Sequence, residues 1–308
     1  MRPKDKPLAV QLKLGLLSYS NDVTHLPGII SEEAMTSLIE QLVESDRRIR
    51  YIQTIRDNVI RAPLKTVRNP SNLGFDPIRA AILTQIEGDL DESFWLTFLS
   101  VHFGKHRKFG WQLARDFYRG LTGERFWTWS TVTNRLGDVA NWLQDNSDRL
   151  KVGGKVRFGN HRKYESLGNG SRGTANVIAS YVKWVASSGG HSELFRSQAG
   201  TPRRDFDRIY QSMVAVVSFG RTARFDYLTM VGKLHLSEIE PGSPYLQGST
   251  GPLKGAQLLF GQNATTTTST LDEQVVTLGN HLGLGMQTME DALCNWQKCP
   301  SKFTPFRG

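Results

Sequence analysis

Residues 91–103, DESFWLTFLSVHF, are apolar on almost every face of a helix. A helix of that kind has no side to offer to water, so the rest of the chain has to surround it. The surrounding sequence carries helical signals too. From Ser31, SEEAMTSLIEQLVESDRRIRYIQTIR has a capping serine, acids in its first turn and apolar residues at three-to-four spacing: Met35, Leu38, Ile39, Leu42 and Val43. After the Pro- and Asn-containing connector APLKTVRNPSNLGFDP, a second helix is expected around Ile78 to Ile86. The central helix breaks near Phe103 and Gly104, and another follows before Gly120. A helix is expected at Thr174–Ala186; FDRIYQSMVAVVSFGRTARFDYLTMVGKL reads as a buried helix, a break at Gly220 and a further helix. One or two more run from Asp272 to Lys298. Convincing alternating strands are lacking, so the expected class is all-α.

The first 25 or so residues carry few signals and read as an arm. Residues 1–75 are expected to form an N-terminal arm and helical extension, and 76–308 a helical domain with a polar, Gly-rich, basic insertion at about 131–204. No internal repeat is evident, and TTTTST at 265–270 is the one short low-complexity run.

The 308 residues can bury an ample core without disulfides. Cys294 and Cys299, the two cysteines, are too few for a structural zinc or a four-cysteine iron–sulfur cluster. A formal net charge of +9 favours a polyanionic partner, because phosphate neutralisation supplies most sequence-independent affinity for nucleic acid. No apolar run approaches the ~18 residues that span a bilayer. The N-terminus lacks a signal peptide's apolar region and cleavage site, so a cytoplasmic location without membrane association is expected. No cofactor is expected.

Chemistry concentrates in GPLKGAQLLFGQNATTTTSTLDEQVVTLGNHLGL. Glycines at 248, 251 and 255 lead into the apolar stretch Ala256–Phe260; a polar connector follows, and Asp272 opens a second apolar-periodic segment. Lys254 and Asp272 are eighteen residues apart, and Ala256 and Asp272 sixteen. Gly251 and Gly255 would let backbone N–H groups approach a DNA phosphate. An ionised Asp272 can stabilise a developing positive charge and orient an attacking water. It can equally be a plain cap for the helix carrying Val275, Leu278 and Leu282. Lys254 is a nucleophile if burial or neighbouring charge leaves its amine neutral, and otherwise a phosphate-binding or solvated lysine.

Three other groups bear on binding. Lys105, His106, Arg107 and Lys108 make a cationic cluster suited to a nucleic-acid backbone, or a surface loop between helices. His102 and His106 lack a third ligand, so no metal is expected. In KVRFGNHRKYESL, Asn160 and His161 can bond base edges, Tyr164 can stack, Arg157, Arg162 and Lys163 can meet phosphates, and Glu165 can accept from an exocyclic group. A solvated basic loop is the alternative. Arg221 and Arg224 can line the same cleft or sit in surface ion pairs, and Asp226 can be a second carboxylate or part of a salt bridge.

The Lys254–Asp272 layout resembles the helix-hairpin-helix DNA glycosylase superfamily, whose hairpin reads roughly L-P-G-V-G-x-K-T-A, with the catalytic Asp sixteen residues past the Ala. GPLKGA departs from that pattern by one residue, which weakens the lysine's match more than the aspartate's. FLSVHFGKH resembles the end of the superfamily's first core helix. FDPIRAAI, FWLTFLSVHFGKHRKFGWQLARDFY, FGNHRKYESL, SYVKWV, FGRTARFDYLTMVGKL, YLQGSTGPLKGAQLLF and EDALCNWQK resemble one of its groups, the alpha-glutamyl/putrescinyl thymine pyrophosphorylases, clade 3. The resemblance implies a two-lobed helical glycosylase-like fold acting on double-stranded phage DNA with hypermodified pyrimidines. It implies catalysis by Asp272, an optional lyase role for Lys254, and His102 as the wedge that fills the stack when a base flips. The expected activity is flipping and excision of the modified base as antiviral defence, which a retained Asp272 favours; transfer with loss of pyrophosphate to make such a base is the alternative, and binding without chemistry the second alternative.

Overall fold

The structure, a computed structural model, describes residues 1–62, 64–159, 162, 165–168, 170–261 and 266–305. Among them the chain is all-α, as expected. In order the helices are α1 (Lys6–Asp22), α2 (Glu32–Arg61), α3 (Pro77–Ile86), α4 (Leu90–Phe103), α5 (Gln112–Tyr118), α6 (Trp129–Asn134), α7 (Leu136–Asn146), α8 (Thr174–Ser187), α9 (His191–Leu194), α10 (Pro202–Ser212), α11 (Arg221–Lys233), α12 (Gly251–Phe260), α13 (Thr268–Leu282) and α14 (Met286–Trp296).

The chain divides into two compact units, one made of Met1–Ile52 with the chain from Pro241 onward, the other of Gln53–Glu240. The division crosses the expected 75/76 boundary because the N-terminal residues share a core with the C-terminal helices. That core joins Leu12, Leu16 and Tyr19 of α1 to Leu38 and Leu42 of α2, Leu259 of α12, Leu278 of α13 and Leu293 of α14. The expected arm is thus a seventeen-residue helix. Its inward leucines are fully covered, each contributing roughly 1.5–3 kcal/mol. The signal was easy to miss because Val10, Leu14 and Leu17 on the outer side are apolar as well, which leaves the helix with little contrast between its faces.

In the second unit α4 is the helix enclosed on all sides. Every residue from Glu92 to Phe103 is buried. Asp89 caps its start, accepting from Glu92 N–H at 3.1 Å. Gly104, at φ 65°, ends it in a conformation that favours glycine. The Phe103 carbonyl then accepts from Gly159 N–H at 2.8 Å. Two of the buried polar groups on α4 tie it to its surroundings: Trp95 Nε1 donates to the Trp127 carbonyl at 2.7 Å, and Ser93 Oγ donates to the Ala81 carbonyl of α3 at 2.9 Å.

Ser31 caps α2 as expected, its Oγ accepting from Ala34 N–H at 3.2 Å. No helix among the described residues is long and apolar enough to cross a membrane. Cys294 and Cys299 are not joined in a disulfide.

Candidate functional site

Within the first unit the Gly-rich turn lies earlier than the sequence pattern suggested. Ser249 N–H donates to the Leu246 carbonyl at 2.9 Å, closing a tight turn with Gly248 at φ 75°. Helix α12 then begins at Gly251, so Lys254 and Gly255 stand inside a helix. Gly255 is buried, and a Cβ there would come within 2.3 Å of the Leu293 carbonyl oxygen; at Gly251 it would come within 2.6 Å of Cys294 Sγ. These glycines therefore let α12 and α14 approach closely, which corrects the assignment of Gly255 to phosphate binding. Gly251 opens the helix, where the first N–H groups have no intrahelical partner. The segment before this turn, residues 234–250, has no helix to complete a helix-hairpin-helix.

Asp272 lies in the second turn of α13. Both carboxylate oxygens accept from Leu246 N–H, at 3.2 and 3.3 Å. The carboxylate thus holds the start of the turn that feeds α12, and it remains half-exposed. It does not cap α13; Thr267 does, accepting from Thr270 N–H at 3.1 Å. Lys254 is exposed on the outer side of α12, without the enclosure a Schiff-base amine uses.

Within the second unit, His102 is wholly buried in an aromatic cluster, stacked on Phe98 at 5.9 Å and edge-on to Phe103 at 4.8 Å. Its Nε2 lies 3.1 Å from Thr174 Oγ1. Burial, with a smaller contribution from the Arg162 charge, pushes its pKa down to about 3, so the ring is neutral at ordinary pH. A side chain in this position is a core residue; the wedge role assigned to it is corrected, because a wedge has to stand at the surface. The residues beyond it do reach solvent. Lys105, Arg107 and Lys108 are exposed, and His106 Nδ1 accepts from Lys108 and Phe109 N–H at 3.1 and 3.2 Å, shaping the loop.

Arg221 is buried, its guanidinium 4.7 Å from the Phe225 ring, and Arg224 donates to the Tyr210 carbonyl at 3.1 Å while lying 4.4 Å from that tyrosine's ring. Arg221 is packed into the unit, which corrects its reading as a cleft-lining phosphate contact, while Arg224 is half-buried and held by Tyr210. Arg162 is also buried; it donates to the Val101 carbonyl at 2.9 Å and to Asp226 at 3.4 Å. Glu165 is half-buried, and burial raises its pKa against the opposing charges of Arg162 and Arg172. Asn160, His161, Lys163 and Tyr164, the other expected base-reading residues, lie outside the described residues.

The second unit also holds a hydrogen-bonded chain the sequence did not disclose. Asp91 Oδ1 lies 2.7 Å from His191 Nδ1, His191 Nε2 lies 2.8 Å from Tyr181 Oη, and Tyr181 Oη lies 2.8 Å from Tyr227 Oη. Burial holds His191 below its ordinary range against the pull of Asp91, and raises both tyrosines. The assignment that satisfies every atom has neutral His191 donating to Asp91 and accepting from Tyr181. Beside it, Glu92 accepts from Tyr118 Oη and from Trp129 N–H, both at 2.6 Å, and burial pushes its pKa up to about 7. No sequence spacing links Asp91 to His191 a hundred residues away. Among the described residues, no group of three His, Cys, Asp or Glu is placed to hold a metal ion.

The family model described as Alpha-glutamyl/putrescinyl thymine pyrophosphorylase clade 3 matches residues 33–308. No curated protein and no solved structure matches the chain.

Proposed function

We propose a function from one premise: the chain belongs to the alpha-glutamyl/putrescinyl thymine pyrophosphorylase clade 3 family. Its substrate is then DNA carrying a modified thymine or related pyrimidine, and the reaction is excision of that base by cleavage of the N-glycosidic bond, as antiviral defence. The observation that carries this reading is Asp272: a partly exposed carboxylate that accepts from the Leu246 N–H, beside a turn and the N-terminal end of α12. Oxocarbenium character develops on the sugar as the base leaves, and a fixed negative charge favours that state over the neutral ground state. Lys254 anchors phosphate in this reading. Exposed cations at Lys105 and Lys108 meet the DNA backbone, consistent with a net charge of +9.

The family's description favours a second reading, in which an amine displaces pyrophosphate from an activated thymine in DNA. The carbon attacked there is exocyclic, and a carboxylate near C1′ has no evident task. Incubating the protein with phage DNA bearing bulky pyrimidine adducts separates the two. Abasic sites and free modified base are the expected products. Incorporation of a labelled amine into pyrophosphorylated DNA, with no abasic sites, would overturn excision in favour of transfer. Selective binding with neither product would leave a binding module. Borohydride trapping of a protein–DNA adduct, lost in Lys254→Ala, would restore a lyase role to that lysine.

A further inference from the structure

The loop after α4 and the loop before α3 enclose a groove of about 540 Å³, all of it within the second unit. Its lining includes Leu73, Asp76, Lys105, Lys108, Phe109 and Trp111. Hydrogen bonds between His106 and Gly110, at 2.9 and 2.8 Å in the two directions, tie the loop into a small hairpin that presents its cations and rings together. Lys105 Nζ stands 5.8 Å from the Trp111 ring, and Lys108 Nζ 5.5 Å from the Phe109 ring, whose surroundings also include the Arg157 guanidinium at 5.4 Å. None of Lys105, Lys108 and Arg157 pairs with a carboxylate among the described residues. The Asp76 carboxylate is already engaged, accepting from Ile78 and Arg79 N–H at the start of α3 at 3.0 and 3.1 Å. Arg115, at the groove's edge, is held by Asp116 at 2.8 Å. The groove thus carries two uncompensated ammonium groups beside two aromatic rings. The Trp111 indole N–H is buried away from the groove and has no acceptor among the described residues, so the ring, not its N–H, is what the groove offers. Leu73, 87 % exposed, adds an apolar lip.

We propose that this groove binds an unpaired nucleotide of the DNA strand, its base stacked against the Trp111–Phe109 edge and its flanking phosphates on Lys105 and Lys108. Rings with adjacent unpaired cations suit a π-faced, anionic ligand, whereas an acidic peptide would use the lysines and leave the rings idle. A base drawn out of a duplex, or the partner it leaves behind, is such a ligand, so the inference rests on the DNA-acting function proposed above.

The test is anisotropy titration of the full chain with labelled oligothymidylate, with an abasic oligomer of the same length and with a polyglutamate peptide, at several salt concentrations. Oligothymidylate is expected to bind more tightly than the abasic oligomer by roughly 5- to 150-fold, the range of one stacked base. In Lys105→Gln/Lys108→Gln, both exposed positions, the slope of log affinity against log salt is expected to fall by about 1.4, two single-strand phosphate contacts. Trp111→Leu should remove the preference for bases while leaving that slope in place. Equal binding of the two oligomers, an unchanged slope in the double variant, or peptide binding as tight as DNA would each overturn the proposal. Excision on adduct-bearing DNA with an inert groove would sink this inference alone; groove binding without abasic sites would sink the excision reading alone.

Discussion

At the scale of single residues, the positions that matter are those where packing and chemistry compete for the same side chain. Gly255 is the clearest. A helix-interior glycine ordinarily gains up to about 1 kcal/mol on conversion to alanine, but here the added Cβ meets the Leu293 carbonyl oxygen at 2.3 Å. Gly255→Ala is therefore expected to destabilise by roughly 1–3 kcal/mol, read as a lower urea midpoint. An unchanged or raised midpoint would mean that α12 and α14 are not so close. Glu92 gives a pH signature. Its native pKa of about 7 lies above the carboxyl's ordinary 4.5 because burial disfavours the charge. Between those values the native state holds a proton that the unfolded chain releases, so stability falls as pH rises through the window and levels off above it. The drop is on the order of 3 kcal/mol. Glu92→Gln can keep both neighbours, with the Tyr118 hydroxyl turning to accept and Trp129 N–H still donating. Urea titrations at pH 5 and pH 7.5 should show that drop in the wild type and much less in the variant; equal pH dependence would assign it to other groups.

At the scale of elements, most of the helical architecture was legible because a 3.6-residue apolar period and a capping side chain are local signals. The starts of α2 and α3, the break at Gly104 and the Gly220 break between α10 and α11 all fall where the sequence put them. Helix α1 was not legible, since both its faces are apolar and only tertiary contact shows which is covered. Leu16→Ala should cost about 2–5 kcal/mol, as for a leucine in a packed core, while Leu14→Ala, at 63 % exposure, should change stability by less than about 0.5 kcal/mol. Comparable small effects at both positions would return this segment to the status of an arm. The glycine-rich stretch misled for a related reason. Glycine serves a tight turn and a close helix crossing equally well, and Gly248 does the first where Gly255 does the second.

At the scale of the whole molecule, a net charge of +9, an all-α fold and family membership over residues 33–308 agree on a helical protein of modified-base DNA chemistry. The binding surface was only partly legible. Lys105 and Lys108 are solvent-facing as expected, but His102 and Arg221, singled out by residue type, are packed, because a sequence does not say which side of a helix a polar group faces. The Asp91–His191–Tyr181–Tyr227 chain depends wholly on long-range contacts and left no local trace. Asp272 is central to the proposed chemistry, and its carboxylate is tied to the Leu246 N–H. The most direct measurement is single-turnover release of modified base from adduct-bearing DNA by Asp272→Asn and wild type, alongside their urea midpoints. Asparagine can still accept from Leu246 N–H, so the account predicts a similar midpoint with release slowed by roughly 10²-fold or more. Release at the wild-type rate, with the variant folded, would contradict it.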